Sequence, residues 1–163
     1  MARTSSGLIA LLFAALCVPA VAGADAKTDA DAVLGRWITA KDISNVEISR
    51  CGEKYCGQIV SLKDPTYGKG DPEEGKPLRD RENPDDKLKA RPLIGLPLLE
   101  GFTYEGDGTW KNGTIYDPEN GKTYKCVMKI ADDGKTLNVR GFIGFSLIGR
   151  TVVWKRVEAP AKQ

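Results

Sequence analysis

The chain has 163 residues, 41% hydrophobic and 28% charged, with 24 Lys and Arg against 22 Asp and Glu and no His. That length suits one domain, and a net charge of +2 argues against nucleic acid as the main partner, which usually selects a marked basic excess. The lack of His removes Ser-His and Cys-His nucleophile pairs, a His general base, His-ligated haem and most catalytic zinc sites.

The N-terminus reads as an address. Met1-Ala2-Arg3 is followed by an uncharged apolar run over residues 7–18, then by Pro19 and small residues up to Ala24. This is the layout of a secretory signal peptide, and its apolar run of about 12 residues falls short of the roughly 20 that span a bilayer. Residues 1–24 are therefore expected to be removed, leaving no transmembrane segment in the mature chain. A linker over 25–33 and a tail over 159–163 are expected to flank one domain at 34–158. Export changes the meaning of the cysteines. In an oxidising compartment, Cys51 and Cys56, five apart beside a turn, are expected to form a structural disulfide rather than a metal site or redox pair. Cys126 is left over, on the apolar side of its strand, as a small buried hydrophobe.

From residue 34 onward, alternating apolar and polar residues are separated by Gly, Asn and Pro turns. Strands are predicted over 34–41, 46–51, 56–62, 98–105, 109–116, 122–131, 136–142 and 147–157. The sixth is the clearest, with Tyr124, Cys126, Met128 and Ile130 on one face and Lys125 and Lys129 on the other. Asp117-Pro118-Glu119-Asn120-Gly121 and Asp132-Asp133-Gly134 read as tight turns. Neither has the full spacing of a calcium loop. In the first hairpin, a four-residue loop over 52–55 would set Cys51 opposite Cys56, Ser49 opposite Gln58 and Glu47 opposite Val60. Eight short strands in sequence, with few helices to cover a face, predict an all-β antiparallel up-and-down barrel; a two-sheet sandwich is the alternative.

One segment breaks the rhythm. Residues 63–91 hold 16 charged residues and four prolines. A loop this long is either a solvated, mobile flap, and then the first region to be proteolysed, or a functional lid. Asp80, Asn83 and Arg91, beside Pro84 and Pro92, are the candidates for a lid closing over a barrel mouth.

Gly35-Arg36-Trp37 at the start of the first strand and Trp154-Lys155-Arg156 in the last resemble the lipocalin arrangement. That likeness implies that Trp37 and Trp154 are structural and that Arg156 packs across the barrel floor over Trp37. A more specific likeness rests on Cys51 with Cys56-Gly57, Asn83-Pro84, Arg91-Pro92-Leu93, Ile115-Tyr116-Asp117-Pro118, Asn120-Gly121-Lys122, Val139-Arg140-Gly141 and Gly149-Arg150. Together these resemble the secreted bacterial family catalogued as domain of unknown function 2147. The resemblance runs over about residues 34–158 and implies a lipocalin-like barrel, periplasmic or secreted, in a Gram-negative bacterium. It implies no reaction and no ligand.

On the last strand, Ile148, Arg150, Val152, Trp154 and Arg156 share a face by alternation. An inward Arg150 needs either an internal carboxylate, for which Glu100 is the candidate, or an anionic ligand. Tyr104, Trp110, Tyr116 and Tyr124 are the aromatic candidates for a pocket wall, with ordinary core packing as the other reading of each. The first functional reading is an exported protein that holds a small amphipathic or acidic molecule inside the barrel, with no cofactor and no metal. The alternative is an envelope protein-interaction or inhibitor module that uses the 63–91 loop, its protein partner unspecified. An enzyme comes third, because no carboxylate pair or Tyr-Arg spacing stands out.

Overall fold

Eight antiparallel strands follow one another around a sheet that closes on itself, because the last strand pairs with the first. The computed structural model describes residues 29–144 and 148–158. The strands are β1 (Gly35–Ile38), β2 (Ser44–Cys51), β3 (Lys54–Leu62), β4 (Pro97–Tyr104), β5 (Thr109–Asp117), β6 (Lys122–Ile130), β7 (Thr136–Phe142) and β8 (Gly149–Arg156). All eight expected strands are present, with their ends displaced by a few residues. The expected signal at 1–24, the first part of the expected linker, the tail at 159–163 and the expected start of the last strand at Leu147 lie outside the described residues.

Up-and-down order puts the β1–β2, β3–β4, β5–β6 and β7–β8 connections at one end of the barrel. The tight β2–β3, β4–β5 and β6–β7 turns lie at the other, and that lower end is closed. Residues 29–33, expected as the end of a linker, instead form a plug that includes the 3-10 turn Asp31–Val33. Buried indoles reach its carbonyls: Trp37 Nε1 donates to Val33 at 2.8 Å and Trp110 Nε1 to Ala30 at 3.2 Å. The Tyr55 hydroxyl donates to Asp31, which also pairs with Arg50, and the Tyr104 hydroxyl donates to Asp29.

Arg156 fastens the plug to the barrel. Its guanidinium lies 4.2 Å over the Trp37 ring. Its Nε donates to Gly134 at 2.8 Å, its Nη1 to Leu34 at 2.9 Å, and its Nη2 to Ala32. Trp37, Trp110, Phe102, Met128 and Leu137 fill the space above, all fully buried. Gly113 makes part of that packing possible, since a β-carbon there would fall inside the Phe102 ring.

Two register expectations are corrected. The first hairpin turns on two residues, Gly52 and Glu53, so Cys51 lies opposite Lys54, Ser49 opposite Cys56 and Glu47 opposite Gln58. Cys51 and Cys56 are therefore diagonal neighbours, and they form the expected disulfide across a Cα–Cα distance of 5.8 Å. The slip is of two residues, so the same side chains still face inward, with Val46 opposite Ile59. The second correction is in β4. Leu99 and Phe102 are both fully buried although three residues apart. The pairing with β3 shifts between them, and Gly101 takes φ +77°. This bulge ends the simple alternation, so Glu100 lies exposed instead of sharing an inner face with Phe102.

Removing Arg156 removes packing as well as charge. Arg156→Ala is expected to lower unfolding stability by about 1–3 kcal/mol, read from the shift of the urea midpoint. An unchanged midpoint would show that the plug does not depend on it.

Candidate functional site

Above the filled floor, the barrel opens into a cavity of about 1180 Å³. Ile59, Leu98, Ile115, Val139 and Trp154 line its apolar lower part, one residue from each of five strands. Val152 and then Arg150 follow Trp154 up β8, and Tyr124 and Gly141 face the cavity from β6 and β7. Arg150 lies opposite Gly141. It is exposed at the mouth, with no ion-pair or hydrogen-bond partner among the described residues. Glu100 does not pair with it. The bulge turns that carboxylate to a separate cleft of about 280 Å³, shared with Arg91, Thr114 and Thr123.

The charged segment after β3 is a folded strap rather than a loose flap. Its backbone bonds to itself, as in Leu78 N to Pro65 O at 2.9 Å, Asp80 N to Arg91 O at 3.0 Å and Leu93 N to Leu78 O at 3.0 Å. Tyr67, only 5% exposed, packs inside it with Arg81 stacked on its ring at 4.4 Å. Tyr67, Leu78 and Leu93 of the strap line the cavity.

Asp80 ties the strap to the barrel. Its carboxylate is wholly buried, and such a group is costly unless its oxygens are satisfied. Oδ1 accepts from the Tyr116 hydroxyl at 2.6 Å. Oδ2 accepts from Asn83 Nδ2 at 2.7 Å and from Arg91 Nε and Nη2, both at 2.8 Å. Asn83 Nδ2 also donates to the Tyr116 oxygen at 3.1 Å. Beside this knot the strap backbone rests on the β5–β6 turn: Gly121 has φ +68°, and a β-carbon on it would collide with the Glu82 carbonyl. Burial, and then the bond to Asp80, hold the Tyr116 phenol above its usual range. A raised phenol pKa favours folding while the proton is on. That contribution is full below the ordinary phenol value of about 10 and is lost only as pH rises through the raised one.

The structure thus brings Arg150, Tyr116 and Tyr124 to the cavity and joins Asp80, Asn83 and Arg91 to it through Tyr116. It does not bring Tyr104 or Trp110 there. Both pack at the closed end, their rings 5.1 Å apart, in the core-packing role. Trp37 and Arg156 form the floor, and Trp154 closes the cavity from below. Sequence reasoning missed the inner face of the strap, because Tyr67, Leu78 and Leu93 are isolated among charges and show no period. Gly121 was visible only as a turn residue. No group of three or more His, Cys, Asp or Glu side chains among the described residues is placed to hold a metal ion.

Residues 35–156 match the model of a family described as "Uncharacterized protein conserved in bacteria (DUF2147)". The chain belongs to this family. Among solved structures, this DUF2147 chain is similar to HP1028 of the human pathogen Helicobacter pylori, described as belonging to the lipocalin family. The two are 25% identical with a TM-score of 0.65, over 77% of this chain and 83% of that one. Comparison with curated proteins finds no match. No helix among the described residues is long and apolar enough to cross a membrane. An eight-stranded barrel of the lipocalin kind is in general suited to enclosing one small molecule.

Two predictions follow from the geometry. Asp80→Asn weakens the acceptor shared by three side chains and is expected to cost about 1–3 kcal/mol. Limited proteolysis should then cut residues 63–96 in the variant while the parent strap resists; equal cutting of both would show that the knot does not hold it. Separately, burial pushes the Cys126 thiol up to about 12, so it stays protonated across the neutral range. Iodoacetamide at pH 8 should label Cys126 only after denaturation.

Proposed function

We propose that this DUF2147 protein is exported from the cytoplasm and holds a small amphipathic or acidic molecule in the upper half of its barrel. The ligand's apolar body lies against Trp154, Val139 and Tyr124, and its charged group meets Arg150 at the mouth. The observation that carries this reading is Arg150, without a partner among the described residues, beside a large, partly apolar cavity. A guanidinium has a planar fork of donors that suits a carboxylate or phosphate, and a pocket with an apolar lower part takes orientation from the polar groups at its mouth. The strap supports the same reading, since Tyr67, Leu78 and Leu93 turn toward the cavity, while Leu88 and Ile94 alone of its large apolar side chains are exposed. The Cys51–Cys56 disulfide agrees with a compartment outside the cytoplasm.

The test uses the anionic aromatic dye 1-anilinonaphthalene-8-sulfonate with protein of residues 25–163, which keeps the whole closed barrel and its plug. Saturable fluorescence enhancement is expected from the native protein. Arg150→Met should weaken binding about tenfold, the loss expected for one charge-assisted contact, with stability within about 0.5 kcal/mol as for an exposed residue. Native mass spectrometry of protein from its own host should show an added small mass. No dye binding together with no added mass would overturn the reading.

A further inference from the structure

The shape of the cavity narrows the class of molecule it takes. Along β8 and the residue before it the lining runs from Ile148 at the mouth to Trp154 at the floor. Six residue steps at about 3.3 Å each give a depth of about 20 Å. The lower half of the barrel adds nothing, since it is filled by the Trp37, Trp110 and Phe102 layer. Spread over that depth, a cavity of about 1180 Å³ has a mean cross-section of roughly 60 Å². That is several times the section of one extended alkyl chain. The walls are hydrogen-bonded strands of a closed barrel and cannot close in on a thin guest. A single chain would leave much of the lining without contact partners. A compact fused-ring body fills the width within the depth, and Tyr124, Trp154 and Tyr67 offer flat apolar surface to it.

We propose that the cavity selects a compact, fused-ring amphiphile carrying one anionic group, and discriminates against a single long acyl chain. This rests on the reading of the cavity as a small-molecule site and adds the ligand class. Gly141 sets the width on the side facing Arg150. A β-carbon there would stand at ordinary contact distance, 3.5 Å from Ile115 and 3.7 Å from Tyr124, so a longer side chain must project into the open space.

The experiment compares deoxycholate with palmitate, both below their micellar concentrations, by calorimetry and by the change in intrinsic tryptophan fluorescence, to which Trp154 at the cavity floor contributes. Deoxycholate is expected to bind at least about tenfold more tightly, and Arg150→Met to weaken it by a similar factor. Gly141→Leu should abolish deoxycholate binding while palmitate binding holds or improves, with the barrel's folding checked by circular dichroism. If Gly141→Leu does not fold, Val152→Phe tests the same narrowing from β8. Palmitate binding as tightly as deoxycholate would overturn the ring class while leaving the binding site in place. Failure of both, with the anilinonaphthalene dye still bound, would also overturn it. Loss of the dye as well would take the proposed function with it.

Discussion

The stacking of Arg156 on Trp37 is the constraint from which the two halves of this barrel follow. A guanidinium inside a barrel end is unfavourable unless its donors are met. Here three backbone carbonyls meet them, from Gly134 on one side and from Ala32 and Leu34 on the other. Satisfying that one group draws the N-terminal segment across the open end of the sheet, where Trp37 and Trp110 donate to it in turn. With the floor shut, the large side chains of the lower strands have a lid to pack against. The apolar core is then confined to the lower half, and the upper half stays open.

A second buried charge organises the mouth in the same way. The strap has only a few scattered apolar side chains, such as Tyr67, Leu78 and Leu93, so burial alone does not fold it. Asp80 supplies the missing constraint, because its donors come from three points in the chain: Asn83 nearby, Arg91 at the return of the strap, and Tyr116 on the barrel wall. Meeting one carboxylate fixes all three relative to one another. A segment with this composition has little hydropathy to order it, and the saturated polar centre at Asp80 adds the tie to the barrel that its own backbone bonds do not supply.

The strands were legible because each shows one inward face to a shared core, as with Tyr124, Cys126, Met128 and Ile130, and that alternation is written locally. Trp37 and Arg156 were legible only through resemblance. What escaped was non-local or depended on a single residue's backbone. Gly101 reads like any strand glycine, yet its positive φ moves Glu100 to the outer surface. The two-residue turn at Gly52 and Glu53 is as compatible with the sequence as a four-residue one, and only the pairing of the following strand selects it. The plug at 29–33 has no period because it is held by backbone carbonyls that accept from Trp37 and Trp110 and by single side chains such as Asp31, not by one repeating face. Of the candidate site residues, Asp80, Asn83 and Arg91 were recognisable as polar groups beside prolines, but their convergence on Tyr116 depends on a contact more than thirty residues away.

The bulge at Gly101 has a consequence at the opposite wall. Had β4 kept its alternation, Glu100 would have faced inward, and the barrel would have carried its own counter-charge for Arg150. An internal pair of that kind would lock the cation to the scaffold and leave any ligand to compete with a covalently tethered carboxylate. With Glu100 outside, Arg150 keeps its water and its freedom at the rim, so leaving it unpaired costs the fold little. Its full hydrogen-bonding capacity is then available to whatever enters the cavity. For the proposed amphiphile the same arrangement sets the direction of entry: the apolar end would go in first, toward Trp154, because only the mouth can hold a charge in contact with both protein and solvent.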